Sequence, residues 1–103
     1  MKYRKVTAIV PLLALEQVEK ALLAIGVAGM TITKVRGMGE YRNYYAQDSL
    51  TDSCRIEIFA EMSKVKEITH TIASMVGQGM STDGIIAILP VEEFFHIKDL
   101  VEE

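Results

Sequence analysis

Two segments of this chain repeat the same order of hydrophobic patterns, and this repetition restricts the fold more than any other feature. Apolar residues alternate with other residues over 2–10 and again over 54–60, and each of these stretches is followed by apolar residues at helical spacing, over 15–25 and 65–76. Alternation with a period of two is typical of a half-buried strand, and spacing of three to four residues is typical of an amphipathic helix. The sequence therefore predicts two strand–helix units.

A further strand completes each unit. Residues 30–36 form a predicted strand after the first helix, and residues 85–89 form a continuous apolar run, which is typical of a central strand covered on at least one face. Ser63 is placed to cap the second helix. The order is β-α-β, a polar loop over 40–53, and β-α-β. It predicts an α+β fold, a ferredoxin-like βαββαβ sandwich with an antiparallel sheet and two helices on one face.

Length and charge restrict the classes of partner. The 103 residues are predicted to form one domain over 1–103, and the net charge of −3 argues against a nucleic-acid partner, which needs clustered basic charge. No apolar run approaches the ~20 residues of a transmembrane helix, so we expect no membrane insertion. Cys54 is the single cysteine, which excludes an internal disulfide framework and favours a cytoplasmic location. Apolar residues predicted for the second sheet face favour self-association.

Two glycine-rich turns adjoin predicted strands. Gly37-Met38-Gly39 ends the second strand, and the 77–84 segment, which contains three glycines, precedes the last strand. Glycine has no Cβ, so the backbone can approach a ligand closely, and turn amides bind phosphates and other anions. Glycines of this kind also serve ordinary turns and bulges. His96 and Lys98 follow the last strand and favour the anion-site interpretation.

The order of these motifs resembles that of the PII signalling proteins. The motifs that carry the resemblance are Gly29-Met30-Thr31, Val35-x-Gly37-x-Gly39, the strand segments 5–11 and 55–58, Gly79-x-x-x-Asp83-Gly84 and the 91–98 segment. They extend over nearly the whole chain in the family's order. The resemblance implies a homotrimer that binds adenine nucleotides in three clefts between subunits. It also implies a regulatory protein. No Ser-His-Asp or metal-ligand spacing is visible in the sequence, so we expect no enzyme, no catalytic residue and no cofactor.

The resemblance implies a role for each matching position. Thr31 would contact the adenine together with backbone around Gly29 and Phe59, and Glu57 would help to position the base or its neighbours. His96 and Lys98 would reach in from the neighbouring subunit. The remaining implied nucleotide-binding residues, which lie along the ribose and phosphates, are Gly37, Met38, Gly39, Gly77, Gln78, Gly79, Met80, Asp83 and Gly84.

Three departures from the family pattern indicate a changed ligand preference. Ile85 stands where a phosphate-binding lysine is usual, and His96 where an arginine is usual. Loss of fixed positive charge weakens the hold on terminal phosphates, so we expect ADP or AMP to be favoured over ATP, with low pH strengthening binding by charging His96. Tyr41 replaces a glutamine associated with Mg-ATP and 2-oxoglutarate, so 2-oxoglutarate sensing is not expected.

The 40–53 loop corresponds to the family's partner-binding T-loop but is shorter. Its candidate contact residues are Tyr41, Arg42, Tyr44 and Tyr45, since tyrosines give contact area at low entropy cost. The implied protein partner is a transporter or a metabolic enzyme. The short loop resembles the branch of the family linked to inorganic carbon, in which bicarbonate is a ligand. The 77–84 segment matches the family's B-loop, and residues 91–103 its C-terminal segment.

Two functions from other classes remain as alternatives. A CutA-like trimer on the same fold would bind a divalent metal, but it needs thiol, imidazole or carboxylate ligands that converge. One cysteine and two separated histidines make a poor ligand set. An RNA-binding ferredoxin-like sheet would need a basic surface with exposed aromatic residues on its central strands. Phe59 and a net negative charge argue against this alternative.

Overall fold

The predicted order of strands and helices is confirmed in the computed structural model, which describes residues 2–37, 51–79 and 83–101. The elements are β1 (Tyr3–Pro11), α1 (Leu15–Ala24), β2 (Thr31–Gly37), β3 (Thr51–Glu61), α2 (Val65–Val76) and β4 (Ile85–Pro90). Short 3-10 turns precede both helices, and another covers Ile97–Leu100. The strands pair in the order β2-β3-β1-β4, and each pairing is antiparallel.

Alternate residues of the two central strands face the helices and form the core. Val6 and Ala8 of β1 lie opposite Ile58 and Ile56 of β3, and all four are buried. The core is completed by further buried residues from these strands and both helices: Val10, Val18, Leu22, Cys54, Ala60, Ile68 and Ile72. Burying a Val, Leu or Ile side chain stabilises a fold by about 1.5–3 kcal/mol, so this layer holds both helices on one face of the sheet. The predicted α+β fold class is therefore confirmed.

The opposite face of the sheet carries polar residues in its centre. Register places Thr31, Glu57 and Thr7 in one row across β2, β3 and β1. Arg55 and Lys5 occupy the neighbouring rows of the same face. Within the described ranges, neither helix packs on this face, and Phe94 of the C-terminal segment covers its end at Tyr3 and Phe59. Neither α1 nor α2 has the length and apolar character needed to span a bilayer.

Three local expectations differ from the structure. The apolar 85–89 run is expected from its sequence to be a central strand, but β4 is an edge strand on which Ile88 and Leu89 are 42% and 40% exposed. Ser63 lies in the 3-10 turn before α2 and does not cap it, because Lys64 is the N-cap residue and makes no side-chain cap bond. β3 begins at Thr51, so residues 51–53 belong to a strand. An apolar run alone does not reveal whether a strand has one neighbour or two.

Candidate functional site

A groove at one end of the sheet brings together five of the predicted site residues. Its volume is about 730 Å³, and it lies between the connection from α1 to β2, the end of β3, the start of α2 and the C-terminal segment. The predicted residues among its lining are Gly29, Thr31, Glu57, Phe59 and His96. Thr31 pairs with Glu57 across β2 and β3, so the two side chains share the open face beside Phe59.

Gly37 and Gly84, two of the glycines predicted to lie along the phosphates, are at the opposite end of the sheet. Tyr3 lines the groove at one end of β1, whereas Gly84 packs against the backbone of Ile9. At about 3.3 Å per residue, Tyr3 and Ile9 are separated by about 20 Å along the strand. Gly37, at the far end of β2 from Thr31, lies at the same end as Gly84. One chain therefore carries two groups of predicted site residues, one at each end of the sheet.

This arrangement differs from the expectation for His96. The resemblance implies that His96 comes from a neighbouring subunit to the residues around Gly29, but both line the same groove within one chain. Gly84, at the end of the glycine-rich 77–84 segment, is the predicted site residue that lies far from them. Lys98 lies exposed in the Ile97–Leu100 turn and does not line the groove.

The described part of the 77–84 segment shows that its amides can hold an anionic oxygen. The backbone N–H groups of Gln78 and Gly79 both donate to Oδ2 of Asp83, at 2.7 and 3.0 Å. Gly79 has a φ of +77°, a conformation that glycine adopts without steric cost, and Gly77 ends α2 by donating to the carbonyl of Ala73. Convergent turn amides of this kind suit carboxylate and phosphate oxygens equally.

A charged cluster lies beside the groove on the open sheet face. Lys5 Nζ is 2.6 Å from Oε2 of Glu57, and Arg55 Nε is 3.8 Å from its Oε1. The hydrogen bond from Lys5 lowers the pKa of Glu57, assisted by the charges of Lys5 and Arg55 and partly opposed by burial. Lys5 Nζ also lies 5.9 Å from the ring centroid of Phe59. Glu57 is thus held as a carboxylate with a fixed orientation.

An aromatic cluster that the sequence did not predict borders the same groove. Phe94 stacks on Tyr3 with ring centroids 4.2 Å apart, and it lies 5.6 Å from Phe59 at a tilt. His96 meets Phe94 edge-to-face at 5.2 Å. Its Nδ1 is 3.9 Å from Oδ2 of Asp99. The only signal in the sequence is the presence of aromatic residues near the start of β1 and just before His96.

Several predicted residues lie outside the described part of the chain. They are Met38, Gly39, Met80 and the loop residues Tyr41, Arg42, Tyr44 and Tyr45. Their assignments remain predictions.

No observation favours the metal-binding alternative. In the described ranges, no three His, Cys, Asp or Glu side chains converge in a way that could hold a metal ion. Cys54 is fully buried in the core, and burial, with the nearby charge of Glu19, raises the pKa of its thiol. It therefore packs as a small apolar side chain.

The lowered pKa of Glu57 predicts a pH dependence of stability. Because the folded-state pKa lies below the unfolded one, the ion pair contributes stability above the usual glutamate pKa of about 4.3 and loses it as the pH falls through the folded-state pKa. As the pH falls from about 5 to about 3, we expect the free energy of unfolding to decrease less in Glu57→Gln than in the parent chain. Urea unfolding at several pH values measures this. Glu93→Gln, at an exposed position, is the control, and parallel pH profiles for the parent chain and Glu57→Gln would contradict the prediction.

The fold and groove define a ferredoxin-like α+β protein with a ligand-sized groove at one end of its sheet. The family model of nitrogen regulatory protein P-II matches residues 3–99. This chain belongs to the P-II family, whose members are regulatory signalling proteins and not enzymes.

Relatives from bacteria and from algae share about a third of the residues. The nitrogen regulatory protein P-II of Azospirillum brasilense is 30% identical, and that of Porphyra purpurea is 32% identical; each match covers 92% of this chain and 91% of the relative. A P-II homolog of Arabidopsis thaliana is 30% identical over 94% of this chain, which spans 54% of the length of that protein.

A solved structure supports the same assignment. The crystal structure of Arabidopsis thaliana PII bound to citrate superposes with a TM-score of 0.78 and 32% identity, covering 94% of this chain and 82% of the other. Sequence and fold therefore agree on the family that the motifs predicted.

Proposed function

We propose that this chain is a signalling protein that binds AMP or ADP in clefts between the subunits of a cytoplasmic homotrimer. The observation that carries the proposal is the separation of two half-sites within one chain. The groove residues that would hold the base lie at one end of the sheet. The amides that would hold phosphate, in place of the Asp83 carboxylate that they bind in this structure, lie at the other end. Each half is incomplete without a second copy.

The geometry of these half-sites favours a closed ring. When a chain uses one end to meet the opposite end of the next chain, the contact is head-to-tail, and such contacts form rings if the rotation closes. The PII resemblance implies three subunits. The exposed apolar residues Ile88 and Leu89 on β4, and Phe95 after it, offer surface for such contacts.

The residues around the amides proposed to hold phosphate favour ligands with one or two phosphates. Ile85 begins β4 directly after Gly84, and it places an apolar side chain where the family usually has a lysine. The Asp83 carboxylate adds negative charge beside the amides of Gln78 and Gly79. A ligand with one or two phosphates meets less repulsion there than ATP.

The regulated partner is proposed from the resemblance. The loop within 40–53 would contact a transporter or a metabolic enzyme and transmit the nucleotide state. Bicarbonate is proposed as a second ligand because the loop resembles the inorganic-carbon branch. The citrate bound to the Arabidopsis relative supports the general capacity of this fold for small carboxylate anions.

Calorimetry and light scattering test the proposal. Titrations with adenosine, AMP, ADP, ATP, bicarbonate and divalent metal ions should show micromolar binding of AMP or ADP and weaker binding of ATP. Light scattering should give the mass of a trimer, about three times 11.5 kDa. A stable monomer would remove the intersubunit site, and absence of adenine-nucleotide binding below the millimolar range would contradict the proposal. Metal binding alone would favour the CutA-like alternative.

The lysine of the C-terminal segment gives a specific prediction. We expect Lys98→Ala to weaken ADP binding about tenfold, equivalent to about 1.4 kcal/mol, and to leave adenosine nearly unaffected, because a lysine that contacts phosphate stabilises only the phosphorylated ligand. Lys20→Ala, on the exposed side of α1, is the matched control. Equal losses for ADP and adenosine would mean that Lys98 acts structurally.

A further inference from the structure

We propose that Phe94 is a positioning residue that holds His96 in the groove, and this inference rests on the proposed nucleotide site. The Phe94 ring lies between the sheet and His96. It contacts Tyr3 and Phe59 of the sheet, and it also contacts the imidazole of His96. Neither Tyr3 nor Phe94 is among the residues that the sequence motifs assign to the site. The Phe94 ring is therefore a part of the site that the motifs do not include.

The C-terminal segment has few other attachments to the rest of the molecule. After Pro90, the chain leaves the sheet, and no backbone hydrogen bond in the described ranges ties residues 92–101 to a strand. Every residue of 92–101 is exposed except Phe94, which is half-buried. The stacking of Phe94 is therefore the main contact that fixes where this segment lies.

His96 depends on this contact for its position. Its ring meets Phe94 edge-to-face at 5.2 Å. Its acidic neighbour Asp99 belongs to the same C-terminal segment, so that pair cannot by itself anchor the imidazole to the sheet. Aromatic pairs prefer the stacked and edge-to-face geometries seen here, so the rings define one arrangement. Without Phe94, His96 would sample many positions, and ligand binding would bear the cost of ordering it.

The first test compares ligand affinities across variants. We expect Phe94→Ala to weaken ADP binding about tenfold, Phe94→Tyr to restore it, and the control Leu100→Ala, at a position of the same segment that is 57% exposed, to stay within about twofold. In a double-mutant cycle with His96→Ala, adding Phe94→Ala should weaken binding little further. Thermal unfolding and light scattering establish that each variant is folded and has the parent's assembly state. Full additivity of the two substitutions would overturn the proposal.

The second test does not require a nucleotide. The chain has two histidines, His70 on the exposed side of α2 and His96, so two imidazole Hε1 signals are expected in the NMR spectrum of the unliganded protein. The ring current of Phe94 should displace the His96 signal, and Phe94→Ala should abolish that displacement while leaving His70 unchanged. An unchanged His96 signal in Phe94→Ala would overturn the positioning role. Failure of ADP to bind the parent chain, with the displacement observed, would contradict only the proposed function.

Discussion

Replacement of Gly84 by alanine is expected to lower the free energy of unfolding by about 3 kcal/mol or more. Gly84 has a φ of +112°, a region that residues with a Cβ rarely adopt, and such strain costs about 1–3 kcal/mol. In addition, a Cβ at this position would lie 1.9 Å from the carbonyl oxygen of Ile9, so β1 and β4 would have to separate locally. Both effects act on the same strand pair, in which Ile9 lies opposite Ile85.

Two other glycines provide a graded comparison for this substitution. Gly79 has a φ of +77°, and a Cβ there would meet no atom of the described residues within 4 Å, so Gly79→Ala should cost the conformational strain, about 1 kcal/mol. Gly29 has neither strain nor a close neighbour, so Gly29→Ala should leave stability nearly unchanged. Urea unfolding at one fixed protein concentration measures all three, since self-association would otherwise shift the midpoint. Equal stability of the three variants would contradict the prediction.

Leu22→Ala is expected to lower the free energy of unfolding by about 3 kcal/mol. Leu22 is fully buried in α1 and belongs to the core formed by the helices and the central strands. Its truncation removes apolar burial and leaves a cavity, and measured Leu→Ala changes in protein cores cost about 2–5 kcal/mol. Because Leu22 lies in the layer between helix and sheet, the surrounding backbone cannot collapse fully onto the space.

The adjacent leucine is a matched control for this substitution. Leu23 is 60% exposed, so Leu23→Ala removes the same atoms from the same helix without opening a cavity, and its effect should stay within about 0.5 kcal/mol. Chemical denaturation followed by circular dichroism measures both changes. A similar destabilisation by the two substitutions would mean that α1 does not pack through Leu22.

The element order and the core face were predictable because both depend on local periodicity. Alternation in β1 and β3 assigns Val6 and Ile58 to one face, and a shift of one residue would reverse every side chain, so the pattern also specifies the register. The same reasoning is insufficient for β4, because an apolar run has the same appearance in an edge strand and a central strand. The cap prediction for Ser63 is wrong because a serine before a helix can also lie in a 3-10 turn.

The motif order predicts a set of candidate site residues but not how they are arranged in space. Motif order is enough to identify Gly29, Thr31 and Glu57, and these line one groove. The sequence by itself determined the elements, the buried face and the family, since short-range patterns encode them. Only the tertiary structure decided that Gly84 lies at the far end of the sheet from that groove and that Phe94 stacks on Tyr3. Such contacts join residues distant in sequence, and the strand order β2-β3-β1-β4 brings them together.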